Sequence, residues 1–332
     1  MKPRLQAIPV STRLNARLLA ALKSAADRCV KQADLAHAAS ISGLRLQREI
    51  ERLRLLGYGI DQTEAGLKLT CLPDLLLPDE IRDSLDTRVI GREVVVYEQL
   101  GSTNDAAWQL AADGAEEGLV VFAEEQTAGR GRLGRQWFSP SGGLWMSIVL
   151  CPDPPAERAT PITLAAAVAI ACAIRRHLGC DATIRWPNDV LVCGKKVAGL
   201  MIETRSERLL QGVFILGIGV NVNCTQFPDD IEQIATSLCR HTDQPIRRVD
   251  LARAILQAFD GLYGQILLGE HEAIGNEWLA MSSTLGQRIT IMRNGRTYKG
   301  EVVDMDPSAG LMVRLDSGFV RPFKGEHVTV VK

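Results

Sequence analysis

The sequence predicts a multidomain α+β protein, with a small helical module in front of the main body and a small all-β module behind it. Three observations carry this reading. Between residues 92 and 283, segments of strand character outnumber helical ones and alternate irregularly, which argues for a mixed sheet and against a doubly wound one. After Gly286 the chain breaks into short apolar runs separated by turn residues. Residues 1 to 70 hold 12 Lys/Arg against 6 Asp/Glu, which leaves 26 against 33 for the rest. The formal charge of −1 therefore conceals a basic N-terminal module on an acidic body, and a basic module implies an anionic partner.

The elements come in chain order. Residues 14 to 26 place Leu14, Leu18 and Leu22 at helical spacing, and residues 31 to 39 give a second short helix. A third, residues 42 to 56, begins after a serine cap at 40 or 42 and sets Leu46, Ile50 and Leu53 on one face. Arg45, Arg48 and Arg52 lie on a distant face, and Gly57 stops the helix. Two short strands then flank a Glu64-Ala65-Gly66 turn. Three helices and a hairpin in that order predict a winged helix-turn-helix over residues 1 to 70, with Arg45, Gln47, Arg48 and Arg52 facing DNA. Acidic Asp61 and Glu64 in the wing, and Glu49 and Glu51 in the helix, oppose that reading.

Pro73 and Pro78 mark a linker over 71 to 91, with a short helix at 79 to 85. The body, 92 to 283, reads as strand 93–97, helix 103–112, strand 119–124, a glycine-arginine loop, strand 144–150 and helix 161–178. Strands 182–186, 196–203 and 209–217 and helices 249–268 and 272–281 complete it. Residues 284 to 332 form a small β-barrel with turns at Asn294-Gly295, Asp306-Pro307 and Asp316-Ser317-Gly318.

Composition narrows the class. With 332 residues, 46% hydrophobic and 23% charged, the chain is an ordinary folded one and not a disordered one. The longest apolar run, residues 162 to 174, falls short of the ~20 residues that span a bilayer and reads as a core helix. Charged residues interrupt the N-terminal pattern, so no secretory signal is expected and a cytoplasmic location is. The 8 cysteines contain no C-x-x-C and the 5 histidines no cluster, so neither a disulfide framework nor a protein-built metal site is expected.

The stretch "GRGRLG" places Gly129, Gly131 and Gly134 in the G-x-G-x-x-G spacing. A dinucleotide fingerprint needs a helix directly after it. Beyond Gly134, however, stand Trp137, Phe138, Ser139, Pro140, Ser141, Gly142 and Gly143, and then a second strand. The segment is thus a loop between strands. Its Arg130, Arg132 and Arg135 suit carboxylate or phosphate, which a planar guanidinium grips through paired hydrogen bonds. Three further segments carry polar groups: Ser102, Thr103 and Asn104 at a helix start, "WPND" with Asn188 and Asp189 ahead of Lys195 and Lys196, and "GIGVNVN" with Asn221. Each alone also suits a cap, a turn or a strand end.

Together, "GRGRLGRQWFSP", "STN", "WPND", "KKVAG" and "GIGVNVN" resemble the biotin protein ligases of the bifunctional kind that double as biotin-operon repressors. The resemblance runs from about residue 14 to the end. It implies a winged helix, a central class II synthetase-like biotin/lipoate ligase core and a C-terminal SH3-like barrel. It also implies that biotin and MgATP give biotinyl-5′-AMP, whose acyl group passes to a lysine of a biotin carboxyl carrier protein. By family position, biotin meets Ser102, Thr103, Asn104, Gln126, Gly129, Arg130, Gly131, Arg132, Lys196 and Gly199. The adenylate meets Arg132, Arg135, Trp137, Asn188 and Asn221, and Lys196, Arg130, Arg132 and Asp189 form the catalytic set. Asp189 would orient Lys196, help hold Mg²⁺ or act as general base. Operator DNA and a ligand-promoted homodimer are the further partners implied. Three alternatives stand beside this reading: a ligase whose N-terminal module no longer represses, a non-catalytic biotin-sensing transcription factor, and a lipoate or octanoate transferase.

Overall fold

The computed structural model describes residues 15–25, 28–153, 158–205, 210–293, 295–307 and 309–324, and the backbone of 329–331. Residues 14 and 26 of the first expected helix, and Asn294 of the expected Asn294-Gly295 turn, lie outside these residues.

The N-terminal unit comprises α1 (Ala16–Ser24), α2 (Gln32–Ala38), α3 (Gly43–Leu55) and the antiparallel pair β1 (Gly59–Thr63) and β2 (Gly66–Cys71). Asn15 caps α1 by accepting from the Leu18 N–H at 3.0 Å. Of the two serines expected to cap α3, Ser42 does so, accepting from the Arg45 N–H. The apolar faces meet in one small core of Leu18, Leu22, Leu35, Leu46, Ile50 and Leu53, closed by Tyr58 and by Leu77 of the linker. Arg45, Gln47 and Arg48 are exposed on α3, while Arg52 is half-buried.

The linker helix α4 (Pro78–Arg82) is shorter than the segment expected from sequence. It delivers Glu80, 1% exposed, into a junction between the N-terminal unit and the body. One carboxylate oxygen of Glu80 accepts from the Tyr58 hydroxyl at 2.5 Å. The other pairs with Lys23 of α1 at 2.7 Å and with Arg247 at 2.8 Å. A second tie lies alongside. Arg248, 3% exposed, donates to Asp74 of the linker at 2.9 Å, to Glu124 at 2.7 Å and to the Gly143 carbonyl at 2.9 Å.

The body is built on a seven-stranded sheet. Its members are β3 (Val94–Leu100), β4 (Val120–Gln126), β5 (Leu144–Leu150), β6 (Ala182–Arg185), β7 (Asp189–Val192), β8 (Lys195–Thr204) and β9 (Phe214–Val220), in spatial order β3-β4-β5-β9-β8-β7-β6. Only the β3–β4 pairing is parallel, so the sheet is mixed, as the irregular alternation predicts. One face packs on α6 (Ala159–Leu178), α8 (Arg248–Leu268) and α9 (His271–Ala280) around Phe122, Ile148, Leu216 and Ile170. Part of the opposite face is covered by α5 (Thr103–Ala112), through Trp108, Val121, Val149 and Ile215. A short α7 (Asp229–Glu232) comes after β9. Helix α6 reaches 20 residues and is long and apolar enough to cross a membrane, but 67% of its apolar window is buried inside the body, as suits a core helix.

Three expectations need correction. The turn signals of Trp186-Pro187-Asn188-Asp189 predict no strand at β7; in the structure Asp189 opens the strand and pairs with Gly199. Strand β9 runs over 214–220, not 209–217, because its glycines disguise a strand that the neighbours β5 and β8 hold on both sides. Strand β3 continues to Leu100, beyond the expected end at 97. At the C-terminus, β10 (Arg288–Arg293), β11 (Arg296–Asp306), β12 (Gly310–Leu315), β13 (Val320–Phe323) and β14 (Thr329–Val331) form a five-stranded antiparallel sheet in the order β13-β12-β11-β10-β14.

Burial alone would raise the Glu80 pKa, but the hydrogen bonds of Lys23 and Tyr58 and the charges of Lys23 and Arg247 outweigh it and hold the group below its ordinary 4.5. A depressed carboxyl contributes stability that is present at neutral pH and lost as pH falls through the folded-state pKa, below 4.5. Glu80→Ala removes the buried partner shared by Lys23, Arg247 and Arg253, which keep only the more exposed Asp83 and Asp250, and the cost of breaking a buried pair is about 3 kcal/mol. Urea unfolding of the full chain should show that loss at pH 7, and the difference from wild type should shrink in acid.

Candidate active site

The site begins with glycines on a sheet face. The register sets Trp145 of β5, Gly219 of β9 and Gly199 of β8 in one row, and Ser147, Gly217 and Met201 in the next. Alternation sends all of these to the face opposite the main core. Side chains there would collide with the groups above: a Cβ on Gly219 would overlap the Trp137 indole, and one on Gly217 would overlap the Asn104 amide. A Cβ on Gly199 would lie 3.0 Å from Lys196 Cε and 3.1 Å from Trp137 Cζ3. The bare patch floors a cavity of ≈ 490 Å³.

The first wall is the N-terminal end of α5. Ser102, Thr103 and Asn104 are buried and line the cavity. Ser102 occupies the cap position without capping through its side chain; the Thr103 N–H is satisfied by Gln126 Oε1 at 2.8 Å instead. The Thr103 hydroxyl donates to the same Gln126 oxygen at 3.0 Å, and Gln126 Nε2 donates to Ser139 at 2.9 Å. Asn104 is equally engaged. Its Nδ2 donates to Glu203 at 2.9 Å and its Oδ1 accepts from the Ser147 hydroxyl at 2.6 Å.

The second wall is the glycine-arginine loop, which leaves β4 at Gln126 and returns through Trp137 and Ser139. It folds back on itself, with bridges between Gln126 and Ser139 and between Arg130 and Gln136, and a tight turn at Arg132–Gly134. Trp137 lies over the glycine floor, edge-on to Trp145 with ring centroids 6.4 Å apart. Its Nε1–H is buried and finds no acceptor among the described residues. Arg132 extends across the cavity, its Nη1 3.4 Å from Asn188 Oδ1. Arg135 also lines the cavity.

The third wall is the β7–β8 hairpin. Strand alternation turns Lys196 to the cavity, whereas Lys195 binds the Glu232 carbonyl at 3.2 Å. The Lys196 ammonium pairs with Asp189 and stands 4.9 Å from the Trp137 ring centroid, a cation–π distance. Asp189 is held from the other side by Arg185 at 2.8 Å. Asn188 donates to the Leu200 carbonyl at 2.5 Å, and Asn221 donates to the Thr236 carbonyl at 3.1 Å, fixing the segment after α7. Apolar Phe227, Ile231 and Ile234 complete the lining.

Most of the ligand-binding and catalytic residues singled out by sequence thus meet in one cavity, but one lies off its lining and one is tied up on it. Gly129 is not on the lining; it packs beneath the loop, where a Cβ would lie 2.5 Å from Ser139 Oγ. Arg130 lines the cavity but its guanidinium is committed to Asp105 through two bonds of 2.7 Å, with Glu203 a further partner at 3.6 Å. The Asp105 hydrogen bonds raise its pKa above that of an ordinary guanidinium, outweighing burial. Sequence reasoning missed Gly217, Gly219, Ser147, Arg185, Asp105 and Glu203. The period-2 spacing of Gly217 and Gly219 was a signal for the floor; the acids carry no local signal, since their partners are distant in sequence.

Five cations, Arg130, Arg132, Arg135, Arg185 and Lys196, line the cavity against one lining carboxylate, Asp189. Such a space favours anions, and no acid, cysteine or histidine cluster able to hold a metal occurs among the described residues.

The geometry agrees with comparisons to known proteins. Residues 96–221 match the biotin/lipoate A/B protein ligase family. The bifunctional ligase/repressor BirA of Bacillus subtilis is 32% identical over 313 residues, covering 93% of this chain and 96% of the relative. A biotin–[acetyl-CoA-carboxylase] ligase of Paracoccus denitrificans is 33% identical over 224 residues, 65% of this chain and 92% of that protein. In fold, the chain is similar to the biotin protein ligase from Aquifex aeolicus solved with biotin and ATP, with a TM-score of 0.65 at 23% identity over 73% of this chain and 99% of that one.

The floor can be tested without any ligand. Gly219→Ala forces the Trp137 ring from its place, and overpacking of this kind costs about 1–3 kcal/mol. Urea titration should show the loss together with a changed tryptophan emission, whereas Gly212→Ala, where no atom of the described residues lies within 4 Å of the added Cβ, should leave emission unchanged despite its positive φ.

Proposed function

Since the chain belongs to the biotin protein ligase family, we propose that it joins biotin to a lysine of a biotin carboxyl carrier protein in two ATP-dependent steps. In the first, a biotin carboxylate oxygen attacks the α-phosphorus of ATP, and pyrophosphate leaves as the bond to its oxygen breaks. In the second, the acceptor lysine amine attacks the acyl carbon, AMP leaves, and the amine gives up a proton. The observation that carries this reading is a cation-lined cavity over a glycine floor, equipped for anions and with no Ser/His/Asp or Cys/His nucleophile arrangement among its lining residues. Bringing two anions together needs fixed positive charge at the reacting atoms more than it needs a protein nucleophile.

The roles come from position. Lys196 and Arg132, from opposite walls, converge on the biotin carboxylate and α-phosphate, with Arg135 also on the lining. The ring end of biotin meets Ser102 and Thr103; Gln126 holds Thr103 and must exchange that bond to reach the ureido group itself. Gly131 and Gly199 give the backbone close access. Asn104 supports the floor. Trp137 offers a flat face to the adenine, and Asn188 and Asn221 border the nucleotide. Asp189, held between Arg185 and Lys196, orients Lys196, and both of its oxygens are engaged by these cations. It is also poorly disposed to hold a metal, so magnesium enters with the phosphates of ATP, and the cavity residues build no cage for it.

The N-terminal unit, residues 1–70, we read as a winged helix-turn-helix that makes the protein a biotin-responsive repressor as well. Exposed Arg45, Gln47 and Arg48, with Arg52, form the face of α3 that would enter a major groove. Support comes from the ligase/repressor relative: its match leaves 7% of this chain outside, far less than the N-terminal unit. Linker 71–91, ligase domain 92–283 and an SH3-like unit at 284–332 complete the division. Adenylate-promoted dimerisation through the central sheet would set two copies of α3 on a palindrome. Sedimentation with biotin and MgATP should then show a dimer at micromolar concentration, and a monomer would remove this part of the reading.

The ligase activity is tested by biotin-dependent ATP–pyrophosphate exchange, with lipoate as the parallel acid. Exchange is expected with biotin and not with lipoate. Lys196→Ala should abolish exchange, and Arg132→Gly should let biotinyl-AMP escape into solution, seen as biotinylation of bystander proteins. Normal ligation by both variants would overturn the assignment of the site.

A further inference from the structure

We propose that Arg130 is not a ligand for the substrate anion but a positioning residue: it rivets the base of the glycine-arginine loop to α5 and β8, with Asp105 and Glu203 as its acceptors. The inference rests on the ligase reading and refines which cations of that site meet substrate.

The geometry of the rivet is that of a built fork. Both terminal nitrogens of Arg130 reach Asp105, one to each oxygen, at 2.7 Å, the bidentate arrangement that fixes a guanidinium in plane as well as in place. Glu203 lies 3.6 Å from the same Nη2 that bonds Asp105 and is itself held in place. One of its oxygens accepts from Asn104 Nδ2 and the other from Trp108 Nε1, each at 2.9 Å. Asn104 in turn accepts from Ser147 at 2.6 Å. Arg130 thus plugs into a chain of groups reaching down to the sheet.

The loop backbone divides at the same place. Below Arg130 it is laced: the Trp137 N–H donates to the Gly129 carbonyl at 2.9 Å, and Arg130 bridges Gln136. Above it, Gly131–Arg135 is closed by the Gly131 N–H to the Arg135 carbonyl at 2.8 Å. That tip holds Leu133 at φ 59°, in the left-handed region, and exposes 65% of it. Charge argues the same way. A guanidinium facing two carboxylates already has its charge more than matched, which weakens its pull on a phosphate. Arg130 therefore fixes the base of the loop, and the tip beyond it carries Arg132 and Arg135, which line the cavity.

The test compares the full-length wild type with Asp105→Ala, Arg130→Ala and the double variant. It measures the KM for MgATP and the saturating rate in biotin-dependent pyrophosphate exchange, and the escape of biotinyl-AMP. A rivet predicts that both single variants raise escape and KM by a similar factor, about tenfold, and that the double variant does no more, the non-additivity of a contacting pair. The saturating rate should stay within about threefold of wild type. If Arg130 instead bound phosphate, Asp105→Ala would leave MgATP binding unchanged or tighter while Arg130→Ala lost the saturating rate; that pattern overturns the proposal, as would effects that simply sum. Wild type without exchange would remove the ligase reading first, and the two failures stay distinct.

Discussion

The site depends on a sheet face from which side chains have been removed. Three glycines on adjacent strands, at 199, 217 and 219, leave the backbone of β8 and β9 bare just where the paired strands are central to the sheet and cannot shift. A glycine-rich strand is weak by itself, since it loses packing and gains little from ordering. Here pairing on both sides supplies what the strand lacks. The bare patch is then filled by an indole and an amide that come from elsewhere in the chain, so the loop, helix α5 and the floor are mutually located by one set of contacts.

Upon that floor the electrostatics are asymmetric in a useful way. Cations reach the cavity from a loop and from a hairpin, and most of the acids stand behind them. Lys196 is steadied by Asp189, and Asp189 by Arg185, so a charged group is presented without being left to wander. Positive charge offered from two sides suits a reaction whose charge distribution changes between a phosphate step and an acyl step.

Much of this is legible in the sequence. The helices of the N-terminal unit announce themselves by leucines at helical spacing and by Ser42, and the failure of G-x-G-x-x-G as a dinucleotide fingerprint is plain from Pro140, Gly142 and Gly143 alone. The motifs quoted from the sequence do converge on one cavity. The features that escape are those that depend on non-local pairing. Strand β7 is four residues long behind a turn-like tetrapeptide, and only its neighbours make it a strand. Glu203 and Ser147 carry no local mark, because their importance comes from Asn104, 99 and 43 residues away. Arg130 is legible as a residue but not as a role: the same guanidinium suits an anion or a carboxylate partner, and Asp105, 25 residues earlier, decides between them.

The junction at Glu80 has a consequence for how such chains recombine. Module boundaries read from sequence fall in the proline-marked linker, which invites the view that the N-terminal unit is a cassette. Yet its seat is shared property: Lys23 and Tyr58 come from the cassette, Glu80 from the linker, and Arg247 and Arg253 from α8 and the residue that precedes it, more than 160 residues further on. A chimera that exchanged only the first seventy residues would inherit a socket cut for another plug. An exchange that keeps the seat intact has to carry the linker and the start of α8 along with the N-terminal unit, which makes the unit and the body partners in one joint.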